Sequence, residues 1–247
     1  MIKVKLSAAL ALVVFAGTVM AQQGVPEKYS AVLYDLKSGQ TKKLYTLNID
    51  VTPSPEGNRS QTTYRDLQGN VVVQESGLAV GDELKEYSID RPQTGEKGKI
   101  EVRDGKVFFE YQDADGKKKT ADERVKGRIL TAANFTAFVR ANWEVLMAGK
   151  VIPVRYAVWD RRETVGFDLQ KVGEPDIKGQ KAMEVRMKPS SFLIAALVDP
   201  VHLFYNQSSK SLMLMKGRVP VKQKVDGKWK DLDTETVYTM DQPSVSK

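Results

Sequence analysis

Apolar and polar residues alternate with a period of two along most of this 247-residue chain, and this pattern constrains its fold more than any other feature. In one segment, Tyr45, Leu47, Ile49 and Val51 are separated by mainly polar neighbours, as in a strand that buries one face and exposes the other. Further segments of the same kind are Ile100/Val102, Val107/Phe109/Tyr111, Val165/Phe167/Leu169, Met183/Val185/Met187 and Val201/Leu203/Tyr205. The pattern predicts a mainly β protein.

Asp-Gly pairs separate several of these segments and favour tight hairpins, at Asp104–Gly105, Asp115–Gly116 and Asp226–Gly227. Because hairpins join neighbours in the sequence, we expect a curved antiparallel meander sheet or half-barrel of about ten to eleven strands. Pro153 and Pro220 lie inside strand-like runs and cannot donate a ladder hydrogen bond. Their strands should therefore lie at an edge or carry a bulge, which favours an open sheet.

One segment follows a helical spacing instead. Its apolar residues are Phe135, Phe138, Val139, Trp143, Leu146 and Met147. The spacing predicts an α+β fold in which one amphipathic helix of about four turns covers the concave face of the sheet. Thr131 can cap its start, and Gly149 can end it. A second apolar run, Ser190–Val198, predicts either a short buried helix or a buried strand.

The start of the chain has the features of a secretory signal peptide. Lys3 and Lys5 precede the apolar stretch Leu6–Gly17, and small residues at Val19 and Ala21 predict cleavage after Ala21. The alternative is a membrane anchor, for which the apolar run is short. A cysteine-free exported chain favours the bacterial periplasm. We therefore expect a signal peptide over 1–21, a flexible N-terminus over 22–28, a single β-rich domain over 29–240 and a flexible tail over 241–247.

The residue types offer little for catalysis. Without cysteine there is no disulfide, thiolate nucleophile or cysteine-type zinc site, and the single histidine, His202, rules out a multi-histidine metal site. We therefore expect no metal and no cofactor. Asp199 and Ser190 near His202 leave a hydrolase as an alternative, although no Gly-x-Ser-x-Gly motif surrounds any serine. The basic run Lys117–Lys119 predicts at most peripheral contact with anionic headgroups, and we expect no nucleic acid partner.

Two segments, Val151–Trp159 and Leu212–Met215, are apolar on both strand faces, so each is either covered on both sides or faces an apolar ligand. The methionines near them are flexible and polarizable, and they fill either a core or an apolar binding cavity. The candidate cavity residues are Phe135, Phe138, Trp143, Met147, Trp159, Met183, Met187, Met213 and Met215. Arg155 and Arg186 are candidate cations at the rim of such a cavity.

The export signal, the meander, the Phe135–Met147 helix and the methionine-rich strand pair Met183–Met187 and Leu212–Met215 resemble those of the periplasmic lipoprotein carriers. That resemblance implies a curved antiparallel half-barrel in which helices close over an apolar cavity that holds acyl chains. It also implies an arginine that contacts the acyl chain, for which Arg155 and Arg186 are the candidates.

Two functions follow from these observations. The first is a non-enzymatic periplasmic protein that binds a lipid or another apolar ligand, in envelope transport or assembly. The alternative is an interaction or scaffold protein that docks an envelope protein partner through an edge strand.

Overall fold

The computed structural model describes residues 26–191 and 199–241, so the predicted segment Ser190–Val198 lies largely outside the described residues. Within these ranges the chain forms sixteen strands and two short helices. In chain order they are β1 (Glu27–Asp35), β2 (Lys43–Ser54), β3 (Gly57–Arg65), β4 (Val71–Val80), β5 (Glu83–Arg91), β6 (Glu96–Arg103), β7 (Lys106–Gln112), β8 (Lys118–Arg124), β9 (Ile129–Leu130), α1 (Phe135–Ala141), α2 (Trp143–Met147), β10 (Ile152–Val158), β11 (Glu163–Gly173), β12 (Asp176–Ile177), β13 (Gln180–Pro189), β14 (Val201–Asn206), β15 (Leu212–Val225) and β16 (Lys228–Asp241).

The mainly β class is confirmed, but the predicted count of ten to eleven strands is too low. The strands that were not predicted from the sequence lack a run of alternating apolar residues. β3 and β8 are mostly polar, and β9 and β12 have two residues each. These strands are held by backbone pairing to their neighbours, which leaves little trace in side-chain hydrophobicity.

A single open sheet contains all but one of the strands, in the order β8-β7-β6-β5-β4-β3-β2-β1-β16-β15-β14-β13-β11-β10-β9, and β12 pairs only with β13. Neighbouring strands are antiparallel except for β9 and β10, which are parallel. The first and last described strands, β1 and β16, pair with each other in the middle of the order. The sheet is therefore two meanders joined through the two ends of the described chain.

Both proline predictions are confirmed. Pro153 lies in β10 before the stretch that pairs with β9, where one side of the strand has no ladder partner. Pro220 lies at the register shift between Val219 and Lys222, where β15 bulges against β16. The hairpins at Asp104–Gly105 and Asp226–Gly227 have positive φ at both residues, as this type of tight turn requires.

The single long helix is wrong in its bounds. Two helices replace it, and the first begins at Phe135 rather than at Thr131. Asn142 separates them, and its side chain donates a hydrogen bond to the carbonyl oxygen of Phe138. Gly149 has a φ of +74° just after α2, as expected for a residue that ends a helix. In the described ranges, neither helix has the length and apolar character needed to cross a bilayer.

Two large groups of buried apolar side chains hold the fold together. We call the first the sheet core, which comprises Ala31, Leu33, Leu47, Tyr64, Val72, Val73, Leu84, Tyr87, Ile89, Ile100, Val107, Phe109, Ala157, Trp159, Val219, Val221 and Leu232. We call the second the methionine cluster, which comprises Leu130, Phe135, Phe138, Val139, Trp143, Leu146, Val154, Leu169, Met183, Val185, Met187, Leu203 and Tyr205. The sheet core lies mainly on β1–β7, and the methionine cluster lies between the helices and β10–β14.

The sheet rolls over so that its β9–β10 edge is tucked against the opposite meander. A side-chain carbon at Gly98 in β6 would come within 2.4 Å of the Trp159 ring, and one at Gly77 in β4 within 2.3 Å of the side chain of Ala133. The absence of a side chain at both glycines therefore permits the close approach. The roll also explains why β10 is apolar on both faces. Val154 belongs to the methionine cluster, whereas Ala157 belongs to the sheet core.

Candidate functional site

Most of the predicted cavity residues come together in the structure. Phe135, Phe138, Trp143, Met183 and Met187 are buried in the methionine cluster. Met147 and Met215 pack against it while remaining partly exposed. The helical face and the methionine-rich strands, which are far apart in sequence, therefore share one apolar interior.

Helix α1 is held over this cluster by polar contacts at both ends. At its start, the buried Asn134 accepts a hydrogen bond from the Thr131 amide and donates to the carbonyl oxygens of Asp82 and Ile129, each at 2.9 Å. At its end, Arg140 Nη1 lies 2.7 Å from Glu27 Oε1, and Arg140 Nε donates to the carbonyl oxygen of Lys210. Polar contacts thus fix α1 to the rest of the fold.

Helix α2 is held differently. Trp143 packs edge-on against Tyr205 at a centroid distance of 6.5 Å, and the Lys210 ammonium lies 5.2 Å from the Trp143 ring. Its polar contacts are longer, with Gln170 Nε2 at 3.3 Å from the carbonyl oxygen of Gly149, and Lys210 Nζ at 4.0 Å from Glu144. A helix of five residues has little stability of its own, so apolar burial of Trp143 and Leu146 accounts for most of its placement.

Trp159 and Met213 lie outside the methionine cluster. The Trp159 ring stacks under the buried guanidinium of Arg91 at 4.9 Å, and its centroid lies 5.8 Å from that of Tyr111. Met213 packs with Phe204 and Leu214 in a small cluster on the other face of β14–β15. The sequence indicated this for Trp159. It directly follows β10 at an odd spacing from Val154 and Tyr156, and so it faces away from the helices.

The two candidate arginines also lie across the sheet from the methionine cluster. Arg186 alternates with Val185 and Met187 on β13, and its cross-strand neighbour is His202. Arg155 donates from Nε to Thr164 Oγ1 at 2.8 Å, and it pairs with no carboxylate among the described residues. It lines a surface depression of about 490 Å³ with Arg161, Glu163, Thr164, Val165, Gly166, Ser190 and Ser191.

The groups considered for hydrolysis form separate pairs. His202 Nδ1 lies 2.7 Å from Glu184 Oε1, and Ser190 Oγ donates to Asp168 Oδ1 at 3.3 Å. His202 and Ser190 therefore each have an acidic neighbour, but not the same one. Within residues 26–191 and 199–241, no three His, Asp or Glu side chains are grouped so that they could hold a metal ion.

A buried carboxyl group, that of Glu75 on β4, was missed in the sequence. Tyr87 donates a hydrogen bond to Glu75 Oε1 at 2.5 Å, whereas Oε2 has no hydrogen-bond partner among the residues that the structure describes. Burial raises the pKa of Glu75 to about 6, and interactions with Tyr87 and Tyr64 oppose that rise. The alternation along β4 could have indicated this burial, because Glu75 lies two residues after the fully buried Val73 and therefore on the same face of the strand.

Comparisons with known proteins identify no family. No protein-family model matches the chain, and no curated protein matches it. Among solved structures, it is similar to a porin-like protein from Bacteroides uniformis ATCC 8492, with 9% sequence identity and a TM-score of 0.22. That match covers 87% of this chain and 97% of the other. A likeness at this TM-score assigns neither a fold family nor a function.

Proposed function

We propose that this is a non-enzymatic, exported protein of the bacterial periplasm that binds a lipid or another apolar ligand. In this proposal β10–β15 act as a half-barrel whose concave side is covered by α1 and α2. The carrying observation is that the methionine cluster is closed on one side by α2, which has five residues and few short polar contacts. A ligand that displaces α2 reaches Met183 and Met187.

Apolar contact supplies the affinity in this proposal. Each methylene of an acyl chain that leaves water contributes about 0.8 kcal/mol. Methionine side chains have three flexible bonds and a polarizable sulfur, so Met147, Met183, Met187 and Met215 can repack around ligands of different shape. Arg155 and Arg186 lie on the opposite face, so the affinity does not depend on them.

Native mass spectrometry of protein purified from its own cells without detergent tests the proposal. We expect a bound apolar species near one-to-one stoichiometry, which solvent extraction then identifies. A clean apo mass that stays unchanged after addition of phospholipid would contradict the proposal.

Substitution of two partly exposed methionines locates the site. The double variant Met147→Gln, Met215→Gln should bind the apolar fluorophore N-phenyl-1-naphthylamine roughly tenfold more weakly, because each change places an amide where the ligand needs apolar surface. Met213→Gln is the matched control, since Met213 lies on the other face of β15. Equal loss of binding in the control, with the fold intact by circular dichroism, would place the site elsewhere.

A second candidate function is docking of an envelope protein partner, and one observation favours it. β8 is the edge of the sheet, and no strand in the described ranges pairs with its outer side. Lys118 and Lys119 at the start of this strand suit an acidic partner strand, whereas Asp122 and Glu123 lie toward its end. Recovery of one stoichiometric protein, without lipid, from a periplasmic pull-down would favour this function over ligand binding.

A further inference from the structure

The β15–β16 hairpin extends beyond the rest of the sheet. β1 pairs with β16 only from Thr234 onwards, so the strands nearer the turn pair with each other alone. Val221 and Leu232 are the last buried residues along this arm. Beyond the Lys222–Asp231 pair, three further residue pairs project the turn by about 10 Å at the usual rise of a strand. We call the projecting residues Gln223–Lys230 the hairpin tip.

At the base of the β15–β16 hairpin the positive and negative side chains pair with each other, whereas the hairpin tip has an excess of positive charge. Arg218 and Lys222 both pair with Asp231, and Arg218 also pairs with Asp233. The hairpin tip itself contains Lys224, Lys228 and Lys230 but only one acid, Asp226. None of these three lysines has an ion-pair partner in the described part of the chain, so the hairpin tip presents net positive charge to solvent.

Trp229 lies among these lysines and is 44% exposed. Among the described residues, no other aromatic side chain is as exposed. The Lys224 ammonium lies 5.6 Å from its ring, so the indole stands on the strand surface beside the cations. Exposing an indole to water is unfavourable, and close to half of the Trp229 side chain remains exposed although Lys224 lies over its ring.

We propose that the hairpin tip docks the protein on a membrane surface that contains anionic phospholipids. Tryptophan concentrates at the boundary between headgroups and acyl chains, because its ring is apolar and its N–H is polar. Lysines beside it reach headgroup phosphates while their methylene stems stay against apolar surface. The hairpin tip projects outward and forms no groove for a peptide, and this geometry matches a flat anionic surface better than a protein ligand. The proposal goes beyond ligand binding and stands without it.

Vesicle binding of the whole protein tests the proposal. We expect co-sedimentation with phosphatidylcholine vesicles that contain phosphatidylglycerol, and little with phosphatidylcholine alone. Added salt should weaken the binding. Trp143 and Trp159 are buried, so a blue shift of tryptophan emission on vesicle addition reports on Trp229. The shift should be absent in Trp229→Ser.

Charge variants distinguish binding through the hairpin tip from binding through the net charge of the whole protein. Lys224→Gln, Lys228→Gln and Lys230→Gln together should weaken vesicle binding on the order of 100-fold, from about fivefold for each lysine. The matched control removes three exposed lysines from other parts of the surface, Lys126, Lys150 and Lys178, again as Lys→Gln.

Three results would overturn the proposal. The first is failure of the wild-type protein to sediment with anionic vesicles at low ionic strength. The second is equal weakening in both triple variants, which would assign the binding to net charge. The third is binding with unchanged Trp229 emission, which would leave the hairpin tip for a protein partner instead.

Discussion

The carboxyl group of Glu75 lies in the interior. One of its oxygens accepts a hydrogen bond from Tyr87, and the other has no partner in the described part of the chain. Tyr64, Tyr156 and Tyr238 are the other titratable groups that act on it, and none of them carries a compensating positive charge. Ionisation of Glu75 therefore places an unbalanced charge in a region of low polarity. Burial raises the pKa of Glu75 from its ordinary value of 4.5 to about 6.

This pKa predicts how stability depends on pH. The folded protein holds the Glu75 proton more tightly than the unfolded chain does, so the contribution of Glu75 falls as pH rises from 4.5 to 6 and stays low above that range. We expect the free energy of unfolding of the wild type, minus that of Glu75→Gln, to decrease by about 2 kcal/mol between pH 4 and pH 7. Urea denaturation at a series of pH values measures this difference.

The comparison between the two proteins removes the contribution of every other titratable group. A difference that stays flat across the range would contradict a raised pKa for Glu75. An increase with pH would mean that the ionised form is the stabilised one.

At the scale of elements, the two ends of the sheet are protected in different ways. β9 packs against the other meander, and nearby the side chain of Asn134 donates a hydrogen bond to the carbonyl oxygen of Asp82. β8 is an edge of the described sheet, and Lys118 and Lys119 on it discourage a second copy of the same strand from pairing there. At this edge the side chains, and not a covering element, oppose association between copies.

Removing two of those charges should make the protein associate. Lys118→Val with Lys119→Thr leaves a strand of high β propensity at the open edge, and we expect a concentration-dependent increase in mass by size-exclusion chromatography with light scattering. Lys97→Thr with Lys99→Val is the control, since β6 has a paired neighbour on each side. Association of both variants to the same extent would attribute it to the lost charge alone.

At the scale of the whole molecule, the roll of the sheet depends on contacts between distant segments. Trp159 lies against Gly98 and under Arg91, which also donates a hydrogen bond to the carbonyl oxygen of Pro220. Arg91 therefore joins the β5–β6 turn to β10 and β15. This junction holds the two meanders together away from the β1–β16 seam.

A methyl group at Gly98 should open this junction. Gly98→Ala is expected to lower the free energy of unfolding by about 1–3 kcal/mol, because the new carbon overlaps the Trp159 ring. In a Trp159→Leu background the added cost should largely disappear, as a double-mutant cycle by urea denaturation would show. Gly166→Ala is the control, since its nearest neighbour is the flexible guanidinium of Arg155 at 3.3 Å. A cost for Gly98→Ala no larger than that of the control would mean that the junction is loose.

Local chemistry made part of this fold predictable. Asp-Gly turns and the positions of Pro153 and Pro220 follow from backbone restrictions that act within a few residues. The helix break at Asn142 and the contact of Trp159 with Arg91 depend on packing between segments that are far apart in the chain. The alternation of apolar and polar residues does not reveal such packing. The methionine cluster was predictable as a set of apolar faces. The placement of Arg155 and Arg186 on the other face also follows from the sequence, because each lies next to residues of that cluster along its strand.

The pairing of β1 with β16 has a consequence for how the protein is made. β16 is the last described strand and hydrogen-bonds to β1 on one side and β15 on the other. A growing chain that lacks it has two separate meanders, each with an unprotected strand where the seam should form. The described sheet is therefore complete only once β16 is in place, and a truncation that removes β16 divides it through its centre instead of trimming its margin.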